Sequence, residues 1–154
     1  MNRGHQLVVF TLDEQRYAVP LSVVERIVRM VEITPVPQAP EIVLGVIDVQ
    51  GRIIPVVDLR RRFRLPEREP HPRDQLLIAH TSRRPVALVI GAVTEVVTLA
   101  ARDVIDGEKI LARLEYVAGV VKRGDGLMLI HDLDGFLSLD EEQALHNAID
   151  PMHP

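Results

Sequence analysis

Few residues in this sequence are spaced for bond-making chemistry. The six histidines, His5, His71, His80, His131, His146 and His153, are scattered, and no two stand at the helical spacing from which one face could grip a metal. Ser22, Ser82 and Ser138 are the only serines, and none sits in the Gly-x-Ser-x-Gly elbow that exposes a nucleophile. No glycine-rich loop ends in Gly-Lys, so a phosphate cradle is missing. Asp132-Leu133-Asp134-Gly135 begins like a calcium loop, but Leu137 and Leu139 follow where more oxygen ligands belong, and a polar strand-to-helix turn explains it better. His131 and Asp132 could form an acid–base pair, yet neighbours on a strand point to opposite faces. Asp48 and Asp58 could meet at the open end of a hairpin; two carboxylates without a third ligand make a weak metal site. These residues predict no catalytic residue, no metal and no cofactor, and point to work by binding.

The elements that would carry a binding surface are short strands. The chain of 154 residues holds 22 valines and 12 isoleucines, a β-branched content that favours strands. Its centre is Val43–Leu59, read as strands Val43–Val49 and Arg52–Leu59 turning at Gln50-Gly51. Apolar residues lie on both faces. Val43, Ile47 and Val49 are expected to share one face and Leu44 and Val46 the other, with Ile53 and Val57 opposed to Ile54 and Val56, as in a barrel wall. Ile47 and Val57 are expected in the core. Gly45 offers a place for another backbone to approach, and Pro55, lacking an N–H, is expected at an edge or rim.

Before this hairpin come strands Leu7–Leu12 and Tyr17–Pro20 around the polar turn Asp13–Arg16. A short helix follows, capped by Ser22 and Glu25, with Val23, Val24, Ile27 and Val28 on one face. The proline-rich stretch 33–40 is a stiff connection. After the hairpin, R-R-R-F-R-L turns helical before Pro66, and residues 66–73, charged and with three prolines, are the expected linker between two halves. Strands follow at Leu76–His80, Val86–Ile90 and Val93–Thr98, then a loop or short helix over Asp103–Lys109. A second hairpin, Leu114–Val121 with Leu127–Ile130, turns at Arg123–Gly126. Ser138 and Glu141 cap a final polar helix to about Ala148, expected on the outside. Some ten short strands at regular spacing predict a mainly all-β fold built of small barrels, with short helices.

The totals narrow the function. A net charge of −4 argues against a polyanion as main partner, so no nucleic acid is expected, and with no Trp, two Tyr and three Phe, base stacking is poorly served. Arg60, Arg61, Arg62 and Arg64 read either as a solvated face or as a docking patch for an acidic partner. The sequence lacks cysteine, so it has no disulfide or thiolate site. No apolar run is long enough to span a bilayer and none near the N-terminus has signal-peptide character, which predicts a cytoplasmic location without membrane insertion.

One stretch carries a resemblance. G-V-I-D-V-Q-G-R-I-I-P-V-V-D-L-R-R-R-F is similar to the signature of the CheW adaptor family of bacterial chemotaxis, roughly G-V-x-N-L-R-G-x-I/V-I/V-P-I/V-I/V-D-L-R. L-V-V-F-T-L-D-E-Q-R-Y-A-V-P-L resembles the family's opening hairpin, V-A-L-V-I-G-A-V-T-E-V-V its middle strand pair, and E-Y-V-A-G-V-V-K-R-G-D-G-L-M-L-I-H-D-L-D-G-F-L its closing segment. The resemblance implies two SH3-like five-stranded β-barrel subdomains sharing a hydrophobic junction. It also implies a non-enzymatic scaffold that couples the regulatory domain of a CheA-type histidine kinase to the cytoplasmic tips of methyl-accepting chemoreceptors. The partner-binding residues it suggests are Val24, Glu25, Arg26, Gly45, Val46, Asp48, Gln50 and Arg60.

Four positions depart from the family pattern. Gln50 stands where arginine usually precedes the apex glycine, with Asp48 where asparagine is common. In the early V-x-E-I/V motif Arg26 occupies the glutamate position, and Glu25 lies one residue before it. Gly91 replaces a usual aspartate. The resemblance assigns that glutamate and arginine to the receptor-facing surface, so a negative and a positive group have become positive and neutral. The competing reading is a small β-barrel enzyme or ligand-binding module with a polar site near Asp48, Asp58 and Arg60. It requires those groups to converge in a pocket.

Overall fold

The computed structural model describes residues 5–99, 105–106, 117–123, 126–131, 133 and 138–149. Eleven strands in these residues form two sheets. The first has the order β8-β1-β2-β11-β10-β9 and the second β3-β6-β7-β5-β4. In chain order they are β1 (His5–Leu12), β2 (Gln15–Pro20), β3 (Val24–Arg29), β4 (Val43–Val49), β5 (Arg52–Val57), β6 (Gln75–His80), β7 (Pro85–Ile90), β8 (Ala92–Leu99), β9 (Ile105–Asp106), β10 (Val117–Arg123) and β11 (Gly126–His131). Helix α1 spans Leu59–Arg62 and α2 spans Leu139–Ile149. The mainly β, two-subdomain architecture is as expected, with the first sheet gaining a sixth, two-residue strand in β9.

The chain crosses between the sheets differently from the expected split into halves. It opens the first sheet with β1 and β2, builds the whole second sheet as β3–β7, and returns with β8–β11. Residues 66–73 therefore connect α1 to β6 inside the second subdomain. Their charge and prolines look like a linker, but the loop is fastened: Asp74 accepts from both Arg68 terminal nitrogens (3.1 and 3.2 Å) and from the His71 N–H (2.8 Å).

The central hairpin turns where expected. Gln50 and Gly51 have φ of +52° and +84°, the paired left-handed geometry of a type I′ turn, and the Asp48 carboxylate accepts the Gly51 N–H at 2.8 Å. A register shift between Val43 and Gly45 alters the expected faces. Val43 joins Val46 and Val57 in one core cluster, while Ile47, Val49, Ile54 and Val56 lie in another, with Leu44 packed against it. One extra residue in a strand reverses the alternation beyond it. Pro55 lies not at an edge but in β5, between β4 and β7. It is tolerated there because its partner Val46 turns both backbone groups away to Thr34, and pairing with β7 begins only at Val56. That Thr34–Val46 bridge, with two 2.9 Å hydrogen bonds, joins the chain beyond β3 to β4 at the opposite end of the sheet and closes it into a barrel.

The expected helix after Ser22 is a single 3-10 turn, Leu21–Val23, without a side-chain cap, and Val24–Arg29 is strand β3. Val24, Ile27 and Val28 match a helical period, but β-branched side chains suit a pleated surface and β6 supplies a pairing edge. In the strand Val28 points into the barrel while Ile27 is 38% exposed.

Among the described residues three clusters make the core. One fills the first barrel (Leu7, Val9, Ala18, Val97, Met128, Ile130) and one the second (Ile47, Ile54, Val56, Leu76, Ile78 among others). The largest is the junction, where Val8, Phe10, Val19, Leu77, Leu88 and Ile90 meet. Tyr17 stacks between Phe10 of the first sheet and Phe63 behind α1, with centroids 6.0 and 5.4 Å apart. Helix α2 belongs to this junction rather than to the outside. Its capping box forms as expected, Glu141 N–H to Ser138 Oγ at 3.1 Å and Ser138 N–H to Glu141 Oε1 at 2.8 Å, but Leu145 and Ile149 are buried in the junction.

Candidate functional site

The fold brings together the two stretches that the sequence marked, the start of β3 and the apex of the β4–β5 hairpin. Glu25 is the residue at which the β3–β6 register slips, between Val24 and Arg26. Such a bulge re-aims a side chain, and the Glu25 carboxylate accepts from the Arg52 guanidinium, two residues past Gln50, and meets His80 Nε2 on β6 at 3.0 Å. Arg52 chiefly, with His80 adding to it, holds the Glu25 carboxyl below its usual range. A glutamate and an arginine are thus paired between β3 and the hairpin, Glu25 one residue before Arg26 and Arg52 two residues past Gln50.

Around this pair the marked residues divide by exposure. Arg26 and Gln50 are exposed, as is Asp48, which spends one oxygen on the turn. Val24 is half-buried against the junction. Gly45 and Val46 are buried within the closing bridge: a Cβ on Gly45 would come within 2.7 Å of the Thr34 carbonyl carbon. That is the close backbone approach expected of this glycine.

Arg60 lies elsewhere and inside. Its side chain is 8% exposed, donates to Asp13 Oδ1 and Oδ2 at 2.6 and 3.0 Å, and reaches the Pro66 carbonyl at 3.3 Å. Asp13 sits in the β1–β2 turn, so Arg60 ties the two subdomains together. Its guanidinium holds Asp13 below the usual carboxylate range. Arg62 binds both Glu141 oxygens (2.6 and 2.7 Å) and Arg84 binds Glu142 (3.0 Å), fastening α2. Half of the arginine run, Arg60 and Arg62, is therefore internal strutting, with Arg61 and Arg64 exposed.

The pocket required by the ligand-binding alternative is not assembled. Asp48 stands opposite Ile53 near the hairpin apex, whereas Asp58 lies five residues beyond Ile53 along the chain, roughly 16 Å at a strand's rise. Asp58 caps α1 by accepting the Arg60 N–H at 2.9 Å. Among the described residues no group of three His, Asp or Glu side chains could hold a metal ion, and no helix is long and apolar enough to cross a membrane. Asp132, Asp134, Gly135 and the side chain of His131, which carried the calcium-loop and acid–base readings, lie outside the described residues.

Sequence reasoning passed over Arg52, His80 and the apolar Ile27 and Val31, which are 38% and 45% exposed. A signal existed for Arg52: with glutamate and arginine both missing from their family positions, nearby residues of the same types were the natural replacements. His80 joins from 55 positions away and gave none.

Comparison with known proteins supplies the remaining evidence. The model of the CheW-like domain family matches residues 6–141. The chain is 30% identical over 145 residues to the chemotaxis protein CheW of Rhizobium meliloti, covering 93% of this chain and 94% of that protein. It is 29% identical over 148 residues to the chemotaxis protein CheW of Treponema pallidum, covering 92% and 87%. The crystal structure of the scaffolding protein TtCheW from Thermoanaerobacter tengcongensis superposes with a TM-score of 0.79 at 27% identity, covering 90% of each chain. A two-barrel fold and a family match over residues 6–141 lead to one conclusion: the chain belongs to the CheW-like domain family.

Proposed function

We propose that this chain is a cytoplasmic adaptor of chemotaxis signalling that holds the regulatory domain of a CheA-type histidine kinase against the cytoplasmic tips of methyl-accepting chemoreceptors. The observation that carries this reading is the likeness to CheW proteins through residues 6–141, which takes in both barrels and the hairpin bearing Gln50. An adaptor needs no chemistry of its own. By binding two partners at once it turns their encounter into an intramolecular one and raises their effective concentration. The β3–hairpin surface fits the receptor-facing role: Arg26 and Gln50 are exposed polar residues, while the Glu25–Arg52–His80 cluster fixes the hairpin against β3.

The test is calorimetric titration against the kinase and receptor cytoplasmic fragments of the same genome, with wild type and the double variant Arg26→Glu, Gln50→Arg. The expected outcome is a complex with one kinase, and weaker receptor binding by the double variant at a nearly unchanged Tm, because exposed substitutions stay within about 0.5 kcal/mol. Failure to bind every kinase at micromolar concentrations would refute the reading.

A further inference from the structure

The second barrel carries a groove at the open end of the central hairpin, the end away from Gln50. It has a volume of about 520 Å³ and is lined by Glu41, Ile42, Arg61, Arg64, Leu65 and Glu67. Backbone hydrogen bonds hold both walls. The Asp58 N–H donates to the Ile42 carbonyl at 2.7 Å on one side, and the Leu65 N–H donates to the Arg60 carbonyl at 2.8 Å on the other. Arg61 spans the walls: its guanidinium donates to the Glu41 carbonyl, and its Nε lies 3.4 Å from Asp58 and 3.8 Å from Glu67. Ile42 belongs to the junction core and Leu65 packs against it, so the floor is apolar. Two charges beside this floor are unengaged. Among the described residues the side chains of Glu41 and Arg64 make no hydrogen bond and no ion pair. Arg64 is also held at φ +57°, a conformation that strains a residue with a side chain and that glycine takes freely. Glycine would serve folding better at that position, so the strained arginine points to work outside the fold.

We propose that this groove takes an extended segment of a partner protein in which one apolar side chain stands between a basic and an acidic residue. The apolar side chain lies on Ile42 and Leu65, the carboxylate meets Arg64 and the cation meets Glu41. The volume falls within the range of preformed ligand sites, and walls fixed before binding spare the complex the cost of ordering them. Unengaged charges of both signs select against a uniformly acidic or uniformly basic segment, because either would meet one like charge. A second copy would set one concave face against another and leave the groove unfilled, so an inserted segment is the better occupant. Arg26 and Gln50 lie at β3 and the hairpin apex, away from this end. The segment can therefore bind whether or not a receptor is engaged there, and the inference does not depend on the adaptor reading.

The probe is the end-blocked peptide Gly-Lys-Leu-Glu-Gly, with variants in which Gln replaces Glu, Gln replaces Lys, or Gly replaces Leu. Binding to the full chain is read from the amide resonances of Ile42 and Leu65 in isotope-labelled protein. The parent peptide should shift both saturably with a Kd of about 1 mM, the scale of a short segment held by few contacts. Loss of either charge should weaken binding about threefold to fivefold, the effect of one exposed ion pair, and loss of the leucine should weaken it further. Arg64→Gly should erase the difference between the Glu and Gln peptides at an equal or higher Tm, whereas Arg64→Lys should keep it. Glu41→Gln should likewise erase the difference between the Lys and Gln peptides. No saturable shift at Ile42 and Leu65 up to about 10 mM peptide, or Arg64→Gly discriminating as well as wild type, would overturn the inference and leave the adaptor reading where kinase titration puts it. A dimer seen by sedimentation in wild type and lost in Arg64→Gly would assign the groove to a second copy and overturn the peptide.

Discussion

Gly45→Ala should open the second barrel, and the cost can be worked from the geometry around that residue. An added Cβ would fall 2.7 Å from the Thr34 carbonyl carbon and 3.0 Å from Ile33 Cγ2, and closer still to the Thr34 oxygen. Two of these atoms are backbone, so no rotamer change relieves the contact and the 33–34 segment must move off. Moving it breaks the two 2.9 Å hydrogen bonds between Thr34 and Val46, each with a net value of about 0.5–1.5 kcal/mol. The φ of +155° at Gly45 adds about 1–3 kcal/mol of backbone strain for a residue with a side chain. The sum is roughly 4 kcal/mol, which for a chain of this size lowers Tm by about 8–16 °C. Gly51→Ala is the control. It also has a left-handed φ, +84°, but nothing lies within 4 Å of its added Cβ, so only strain of about 1 kcal/mol and about 3 °C is expected. Circular-dichroism melts of both variants, with hydrogen exchange at the Val46 amide, measure the difference. If Gly45→Ala melts with Gly51→Ala, the Thr34 bridge does not close the barrel.

Two further outcomes follow from α1 and α2. Helix α1 ends in a Schellman arrangement, Leu65 N–H to the Arg60 carbonyl at 2.8 Å and Arg64 N–H to the Arg61 carbonyl at 3.3 Å, with Arg64 at φ +57° where glycine is usual. Arg64→Gly should therefore raise the urea midpoint by an amount equivalent to about 0.5–1 kcal/mol, and a lowered midpoint would show that the Arg64 side chain stabilises the fold. At Glu141 burial raises the carboxyl pKa, but the Ser138 N–H and the Arg62 guanidinium outweigh it, and the net shift is downward from 4.5. A carboxylate with a depressed pKa contributes stability that is present above its ordinary pKa and lost as pH falls through the folded value. The stability gap between wild type and Glu141→Gln, measured by urea unfolding, should thus shrink as pH drops below about 4.5, and a gap constant with pH would refute the assignment.

The central hairpin was legible because each local preference in it agrees with the fold. Val and Ile favour the strands, Gln-Gly takes the left-handed turn, and Gly45 receives the backbone that passes over it. Reading failed where a long-range partner decided the outcome. Val24–Arg29 has a helical apolar period, but β6 lies almost fifty residues ahead in the chain and its edge makes the segment a strand. Val43 changed faces through a bulge beside Gly45, a glycine whose sequence signal is shared between a bulge and a close backbone approach. The division at residues 66–73 failed because composition reports where a chain is polar, not which sheet the next strand will join. Asp74, one residue past that stretch, fastens the loop through contacts that only the fold defines.

The candidate surface was harder to read because a sequence shows its charges without showing which of them are neutralised inside the molecule. Arg60 looked as available as Arg26, yet it is held by Asp13, 47 positions away, and ties the two subdomains. Glu25 looked like a displaced recognition residue, yet Arg52 and His80 engage it. An ion pair already made within the fold has little left to offer a partner, because a partner must first compete with its existing contacts. An unengaged cation beside exposed apolar surface is different. A matching carboxylate gains modestly there, whereas a like charge is penalised strongly, so such a residue discriminates among partners more than it adds affinity. By that criterion the exposed Arg26 and Arg29 remain open to a partner's charge, whereas Arg60 and Glu25 are already engaged. Their weight became visible only once the fold had taken the other charges out of play.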